Sequence, residues 1–225
     1  MPPLAVYNTQ GLDIKYFDMQ GRFYSNTKVF ENLVVDRKVS NILERLIALV
    51  ALVVISPLLL VITVAIKVLM PGPAFYSQVR VGKDGKEFEI LKFRSMIVNA
   101  EKESGPMLAV ENDTRITPFG NFLRKSHLDE LPQLINVVRG DMAFVGPRPE
   151  RPVFVNEFDV EVPNYIRRKE VLPGITGLAQ VCLPYSATPD EKIQYDAYYI
   201  DNQKSVVLNI MICYYTALKM VSFFR

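Results

Sequence analysis

The 225-residue chain is long enough to bury a core of its own and fits one domain with appendages. Its 26 Lys and Arg residues against 24 Asp and Glu leave a net charge of +2, which gives no bulk electrostatic argument for nucleic acid. The two cysteines, Cys182 and Cys213, form neither a metal-ligand spacing nor a disulfide framework, and the single His127 excludes a multi-histidine zinc site.

Residues 1–37 mix aromatic and polar residues without a strong period and lack the continuous apolar stretch of a signal peptide. They read as an N-terminal extension lying against the domain or a membrane surface. Leu46 to Ile66 follows, an apolar run of about 21 residues, enough to cross a ~30 Å hydrocarbon core once. Ser56-Pro57 sits at its middle, where proline removes a helix hydrogen bond and crowds the preceding turn. Each arm is then about half the hydrocarbon thickness. Arg37, Lys38 and Arg45 precede the run and Lys67, Arg80 and Lys83 follow it, so both ends carry the charge that belongs on the cytoplasmic side. A re-entrant hairpin satisfies both ends, and a kinked spanning helix satisfies one. In the hairpin the Ser56 hydroxyl is a candidate partner for the freed backbone groups.

Past Pro71-Gly72-Pro73 the chain reads as two strands, Ala74–Val79 and Glu87–Phe93, joined by a turn at Gly82-Lys83-Asp84-Gly85. Alternation puts Lys92 and Arg94 on one strand face, either to bind a polyanion or to face solvent. Residues 99–113 read as a partly helical loop. Thr117 and Pro118 then have the types of an N-cap and a first helical residue, and Arg124 and Lys125 fall near that short helix's end.

Ser126-His127-Leu128-Asp129-Glu130-Leu131-Pro132-Gln133 has the pattern of a capped helix start, with Leu128, Leu131, Ile135 and Val138 at helical spacing. Asp129 would lie in the first turn, where the helix dipole keeps a carboxylate ionised, as suits a nucleophile or a metal ligand. The same pattern also closes an ordinary capping box. Glu130 points about 100° away around the helix. Arg124 and Lys125, five and four residues before Asp129, suit phosphate clamping or simply complement a helix dipole.

Gly146-Pro147-Arg148-Pro149-Glu150-Arg151-Pro152 presents Arg148 and Arg151 on a stiff loop, for phosphates or for structural salt bridges. Pro173–Gly177 reads as a second rigid turn, Leu178–Cys182 as a short strand, and residues 191–201 as a helix bearing Tyr195, Asp196, Tyr198 and Tyr199. Val206–Phe224 reads as an interfacial helix or a buried core helix.

Seven of these segments, in order, resemble the bacterial sugar transferases, or monotopic phosphoglycosyl transferases. They are Ser56-Pro57, Lys92-Phe93-Arg94-Ser95-Met96, Asp113-Thr114-Arg115-Ile116-Thr117, Leu128–Gln133, Asn136–Met142, Val145–Pro149 and Pro173–Gly177, so that the resemblance runs from about Val39 to the C-terminus.

The resemblance implies an α/β (α+β) fold. Residues 1–37 would be an extension, residues 38–70 a re-entrant membrane hairpin broken at Ser56 and Pro57, and residues 71–225 a catalytic domain of helices and short strands with interfacial helices. It implies transfer of a sugar phosphate from a UDP-sugar to undecaprenyl phosphate, with release of UMP. Asp129 would be the nucleophile, forming an aspartyl-phosphosugar intermediate, and Glu130 would hold Mg²⁺ or manage the acceptor's proton. Arg124 and Arg148 are the leading phosphate cations, Lys92, Arg94 and Arg151 further ones, and Asp196 a weaker metal or substrate candidate. The implied location is the bacterial inner (cytoplasmic) membrane, monotopic and facing the cytoplasm, as a minimal catalytic form with no nucleic-acid partner and a homo-oligomer left open. Pro149-Glu150-Arg151-Pro152 resembles the exopolysaccharide-starting members and points to a hexose. The alternatives are an inactive membrane-anchored scaffold and a sugar-only transfer that releases UDP.

Overall fold

The computed structural model describes residues 33–222, apart from 102–104, 106–112 and 185. The expected extension therefore lies outside the described residues up to residue 32. Just after residue 32, Val35 N donates to Lys204 O and Val206 N to Leu33 O, both at 3.1 Å.

Helix α1 (Arg37–Leu69) opens on Asp36, whose carboxylate accepts from Lys38 N at 2.8 Å. It continues through Pro57 as one helix, about 50 Å long at the α-helical rise. Proline leaves the Val53 carbonyl without its helical donor, and the Ser56 hydroxyl donates to that carbonyl at 2.8 Å. The expected interruption into two helices is not seen.

One face of α1 meets the domain along its length. Ala48, Leu52 and Ile55 share an apolar cluster with Leu134 and Val137, and Leu59, Ile62, Ile66 and Met70 share another with Phe93 and Leu123. Glu44 accepts from Phe144 N at 2.7 Å. This spacing of three and four residues is one helical stripe on both sides of Pro57. The opposite stripe carries Val50, Val53, Val54, Val61 and Val68, all at least 64% exposed.

Strands β1 (Phe75–Val81) and β2 (Glu87–Phe93) pair antiparallel across a 3₁₀ turn in which Asp84 takes a left-handed conformation, as the turn residues require. Helix α2 (Pro118–Lys125) starts as expected, with Thr117 Oγ1 accepting from Gly120 N at 3.0 Å. A 3₁₀ turn at Leu128–Glu130 leads to α3 (Gln133–Arg139), which Gly140 ends in a left-handed conformation against the Arg45 guanidinium. After β3 (Ala143–Val145) come α4 (Pro152–Glu161), a 3₁₀ segment Tyr165–Glu170, and β4 (Gly174–Thr176). Helices α5 (Leu178–Cys182), α6 (Pro189–Asn202) and α7 (Val206–Ser222) complete the fold.

The stretch read as a second rigid turn contains β4, which pairs in parallel with β3 through Ala143–Gly174 and Val145–Thr176. The expected strand Leu178–Cys182 is α5, a short apolar run whose periodicity does not separate helix from strand. The α+β class stands: the described residues form helices and two small two-stranded sheets. Helix α7 combines both readings made of it, burying Leu208 and Ile212 while Ile210 and Tyr214 stay exposed.

Candidate active site

The acidic pair lies where the chain changes direction between α2 and α3. Ser126 ends α2, its N–H bonded to Phe122 O at 3.0 Å, and His127 follows at φ 56°. Pro132 has no N–H to extend a helix from Leu128 into α3, so Leu128–Glu130 is a single 3₁₀ turn. The capped helix expected from Ser126 is therefore not formed, and Asp129 does not sit on a long helix dipole.

Its environment is set by burial instead. Asp129 is 6% exposed and, among the described residues, its carboxylate has no hydrogen-bond or ion-pair partner. Burial first, then the charge of Glu130, push its pKa up to about 6, against the pull of Lys92, Arg124 and Arg148. This reverses the direction expected from the sequence, though the group remains mostly ionised at neutral pH.

Glu130 is the opposite case. Its Oε1 accepts from Lys92 Nζ at 2.6 Å and from Arg148 Nη2 at 2.8 Å. Burial disfavours its ionised form, but the charges of Arg148 and Lys92, then their hydrogen bonds, outweigh it and hold the group far below the usual carboxylate range. Burial pushes the Lys92 ammonium down, with Glu130 opposing.

Lys92, Arg124 and Arg148 thus come together on the acidic pair, from β2, α2 and the loop after β3. Among the described residues three cations act on these two carboxylates, a balance suited to a polyanion. The Arg124 guanidinium is fixed by its Nε donating to Ser95 Oγ at 2.8 Å.

Other candidates lie elsewhere. Arg94 is 6% exposed and donates from Nη1 to Pro71 O at 3.0 Å and from Nη2 to Met70 O, closing the C-terminal end of α1. It binds the protein's own carbonyls because the strand ends beside that helix terminus. Arg151 makes a two-pronged pair with Glu101, at 2.9 and 3.0 Å. Asp196 is 1% exposed and is paired with Arg168, Nε to Oδ2 at 2.9 Å, not joined to the acidic pair.

Sequence reasoning missed Asn136. It is fully buried in α3, its Nδ2 donating to Glu89 O at 2.7 Å and its Oδ1 accepting from Leu91 N at 3.0 Å. That amide clamps α3 to β2 and sets Lys92 opposite Glu130. A polar residue flanked by Leu134, Ile135, Val137 and Val138 was the available signal.

The donor set fits magnesium, which is held through one or two carboxylates and takes the rest of its shell from substrate phosphates and water. Asp129 has its carboxylate available, with Glu130 beside it. No group of three acidic, Cys or His side chains exists among the described residues, so the protein forms no complete cage there.

The sequence profile of the bacterial sugar transferase family matches residues 35–223. The chain is 45% identical over 177 residues to the UDP-N-acetylgalactosamine-undecaprenyl-phosphate N-acetylgalactosaminephosphotransferase of Aeromonas hydrophila, covering 77% of this chain and 41% of that protein. It is 43% identical over 183 residues to the UDP-glucose:undecaprenyl-phosphate glucose-1-phosphate transferase of Xanthomonas campestris pv. campestris, covering 79% and 38%. The exopolysaccharide production protein ExoY of Sinorhizobium fredii is 34% identical over 185 residues, covering 76% and 80%. The chain thus spans about two fifths of the first two relatives, 41% and 38% of their lengths. With the profile match extending from α1 through α7 and the acidic pair inside it, the chain belongs to the bacterial sugar transferase family.

Proposed function

We propose that this protein transfers a sugar-1-phosphate from a UDP-sugar to undecaprenyl phosphate and releases UMP, beginning polysaccharide or glycoconjugate assembly. The observation that carries the reading is Asp129, a buried carboxylate without a hydrogen-bond or ion-pair partner among the described residues, beside three fixed cations. Its relatives' names supply the substrate class.

In this reading an Asp129 oxygen attacks the β-phosphorus of the UDP-sugar. The bond from that phosphorus to the oxygen bridging it to the α-phosphorus breaks, and UMP leaves with the electron pair. A phosphate oxygen of the lipid then attacks the aspartyl-phosphosugar and frees Asp129. The arginines and Lys92 neutralise charge on the transferring group, where phosphoryl transfer draws most of its stabilisation. Bound magnesium, held by Asp129 and Glu130, would add to that neutralisation. Glu130, held far below its usual range, is a poor proton acceptor, which favours its service as an anchor for Lys92 and Arg148.

The membrane reading rests on α1, the one helix among the described residues long and apolar enough to cross a bilayer. Both sides of Pro57 pack on the same domain, which favours a re-entrant placement with both ends on the cytoplasmic face of the inner membrane. The exposed apolar residues of α7 suit the interface. For the sugar, a hexose is preferred.

The test is nucleotide release from a panel of UDP-sugars with undecaprenyl phosphate and Mg²⁺, for wild type and Asp129→Asn. Lipid-dependent UMP release that the substitution abolishes supports the reading and names the sugar. Release of UDP would replace it with sugar-only transfer, and silence across the panel would favour a scaffold.

A further inference from the structure

The loop that presents Arg148 is held almost entirely from outside itself. Pro147, Pro149 and Pro152 have no N–H groups, so the segment has few donors with which to fold back on itself. Its carbonyls are tethered by other elements instead. Pro147 O accepts from Gly174 N at 3.0 Å, and Arg148 O from Arg168 Nη2 at 2.6 Å. Pro149 O accepts from Arg80 Nη1 at 2.9 Å, and Glu150 O from Val81 N at 3.0 Å.

Four consecutive carbonyls are thus fixed, and the one belonging to Arg148 is held by a buried ionic side chain. That side chain has its own support. The Arg168 guanidinium lies over the Tyr165 ring at 4.8 Å and donates to the Tyr165 hydroxyl. Its Nε stands 2.9 Å from Asp196 Oδ2, with 10% and 2% of the two side chains exposed. Among the described residues neither Asp196 oxygen makes a hydrogen bond of good geometry, and Arg168 is the ion-pair partner of the buried carboxylate. Buried pairs of this kind add little net stability over well-packed apolar residues, which leaves their presence to be explained by what they hold in place.

We infer that Arg168 and Asp196 are positioning residues that fix Arg148 for the reacting phosphates, acting through the Arg148 carbonyl. The two residues touch neither Asp129 nor Glu130. Asp196 orients the Arg168 guanidinium from α6, and Arg168 reaches the loop backbone with its other prong. Lysine would keep the charge opposite Asp196 but lacks the fork that serves two partners at once. The inference rests on the proposed reaction for the role of Arg148, and extends it to the 3₁₀ segment and α6.

The test is a double-mutant cycle on UMP release, with kcat and KM resolved for the UDP-sugar. Arg168→Lys should lower kcat/KM by up to about 100-fold, the order expected for a misplaced clamp, with a melting temperature near that of wild type. Combined with Arg148→Ala it should add little to the loss that Arg148→Ala causes alone. Multiplicative losses, or unchanged kcat and KM in Arg168→Lys, overturn the inference. Should Arg168→Lys fail to fold, the paired variant Arg168→Met with Asp196→Leu removes both buried charges together. That variant, folded, should lose activity as Arg148→Ala does, and a folded, fully active one overturns the inference. Wild type that releases no UMP would instead overturn the reaction itself.

Discussion

Lys92 and Arg148 meet on a single oxygen, Oε1 of Glu130, at 2.6 and 2.8 Å, although one comes from a strand and the other from the proline-rich loop. Glu130 therefore joins two otherwise separate parts of the site. Its removal takes away the carboxylate that the Lys92 ammonium and the Arg148 guanidinium share, with Asp129 left as the neighbouring negative charge.

Glu130→Gln should lower unfolding stability at pH 7 by about 3–5 kcal/mol, as expected when one partner of a buried pair is lost. The pH dependence follows from the direction of the shift. Glu130 is held below its ordinary 4.5, so its contribution is complete above that value and fades as pH falls. Urea unfolding in detergent at pH 7 and pH 3 checks this: the gap between wild type and variant should narrow at the lower pH.

Asp129 should behave in the opposite way. Its pKa, raised from 3.8 to about 6, means that the fold prefers the protonated group. Stability is then highest below the unfolded value and declines as pH rises through about 6, by roughly 3 kcal/mol in total. Asp129→Asn should be more stable than wild type at pH 8, by up to about that amount, with the gain vanishing near pH 3.5. A variant at once inactive and more stable would mark Asp129 as a residue retained for chemistry at a cost to the fold. Thermal unfolding across that pH range decides it.

The same carboxylate sets an acid limb on the reaction. As a nucleophile Asp129 must be ionised, so kcat/KM for the UDP-sugar should fall with decreasing pH with a midpoint near 6. Glu130, ionised far below that value, adds no second limb in the range. A pH–rate profile between pH 5 and 8 measures it, and a flat profile would argue against a rate-determining attack by Asp129.

Much of the site was legible in the sequence because its parts are local patterns. The proline-rich loop announced Arg148 as rigidly presented, and Thr117-Pro118 announced the start of α2. What escaped was long-range. Ser126 satisfied the pattern of an N-cap, but the preceding helix used it as a terminus and Pro132 prevented a helix from running through Asp129. The capping motif was read correctly as a boundary and on the wrong side of it. Alternation put Lys92 and Arg94 on one strand face, yet their partners come from segments 38 and 24 residues away, which no local pattern encodes. Asn136 acts through a carbonyl of strand β2 and Arg168 through one of the Arg148 loop, both distant in sequence, and strand β4 exists only because β3 lies beside it.

Arg94 and Arg148 should separate in their effects. Arg94 closes the carbonyl end of α1, so Arg94→Ala should destabilise the protein by about 1–3 kcal/mol through carbonyls left without donors. The KM of the folded fraction should stay close to wild type. Arg148→Ala should raise KM or lower kcat with a smaller change in stability, since Lys92 still compensates Glu130. Steady-state kinetics beside unfolding curves for both variants make the comparison.

The placement of α1 gives the last prediction. Ala48, Leu52 and Ile55 before Pro57, and Leu59, Ile62 and Ile66 after it, all pack on the domain that carries the charged site. A helix spanning the bilayer would have to take those packed clusters, with Arg124 and Asp129 nearby, into hydrocarbon, where charged groups are costly. The exposed stripe of valines can instead face lipid while both ends stay with the domain. Lys38→Cys and Lys83→Cys, each introduced into a chain whose Cys182 and Cys213 are replaced by serine, should therefore react with an impermeant maleimide from the same side. Both should label in inverted membrane vesicles and be protected in right-side-out ones. Labelling of the two positions from opposite sides would establish a spanning helix and overturn the re-entrant placement.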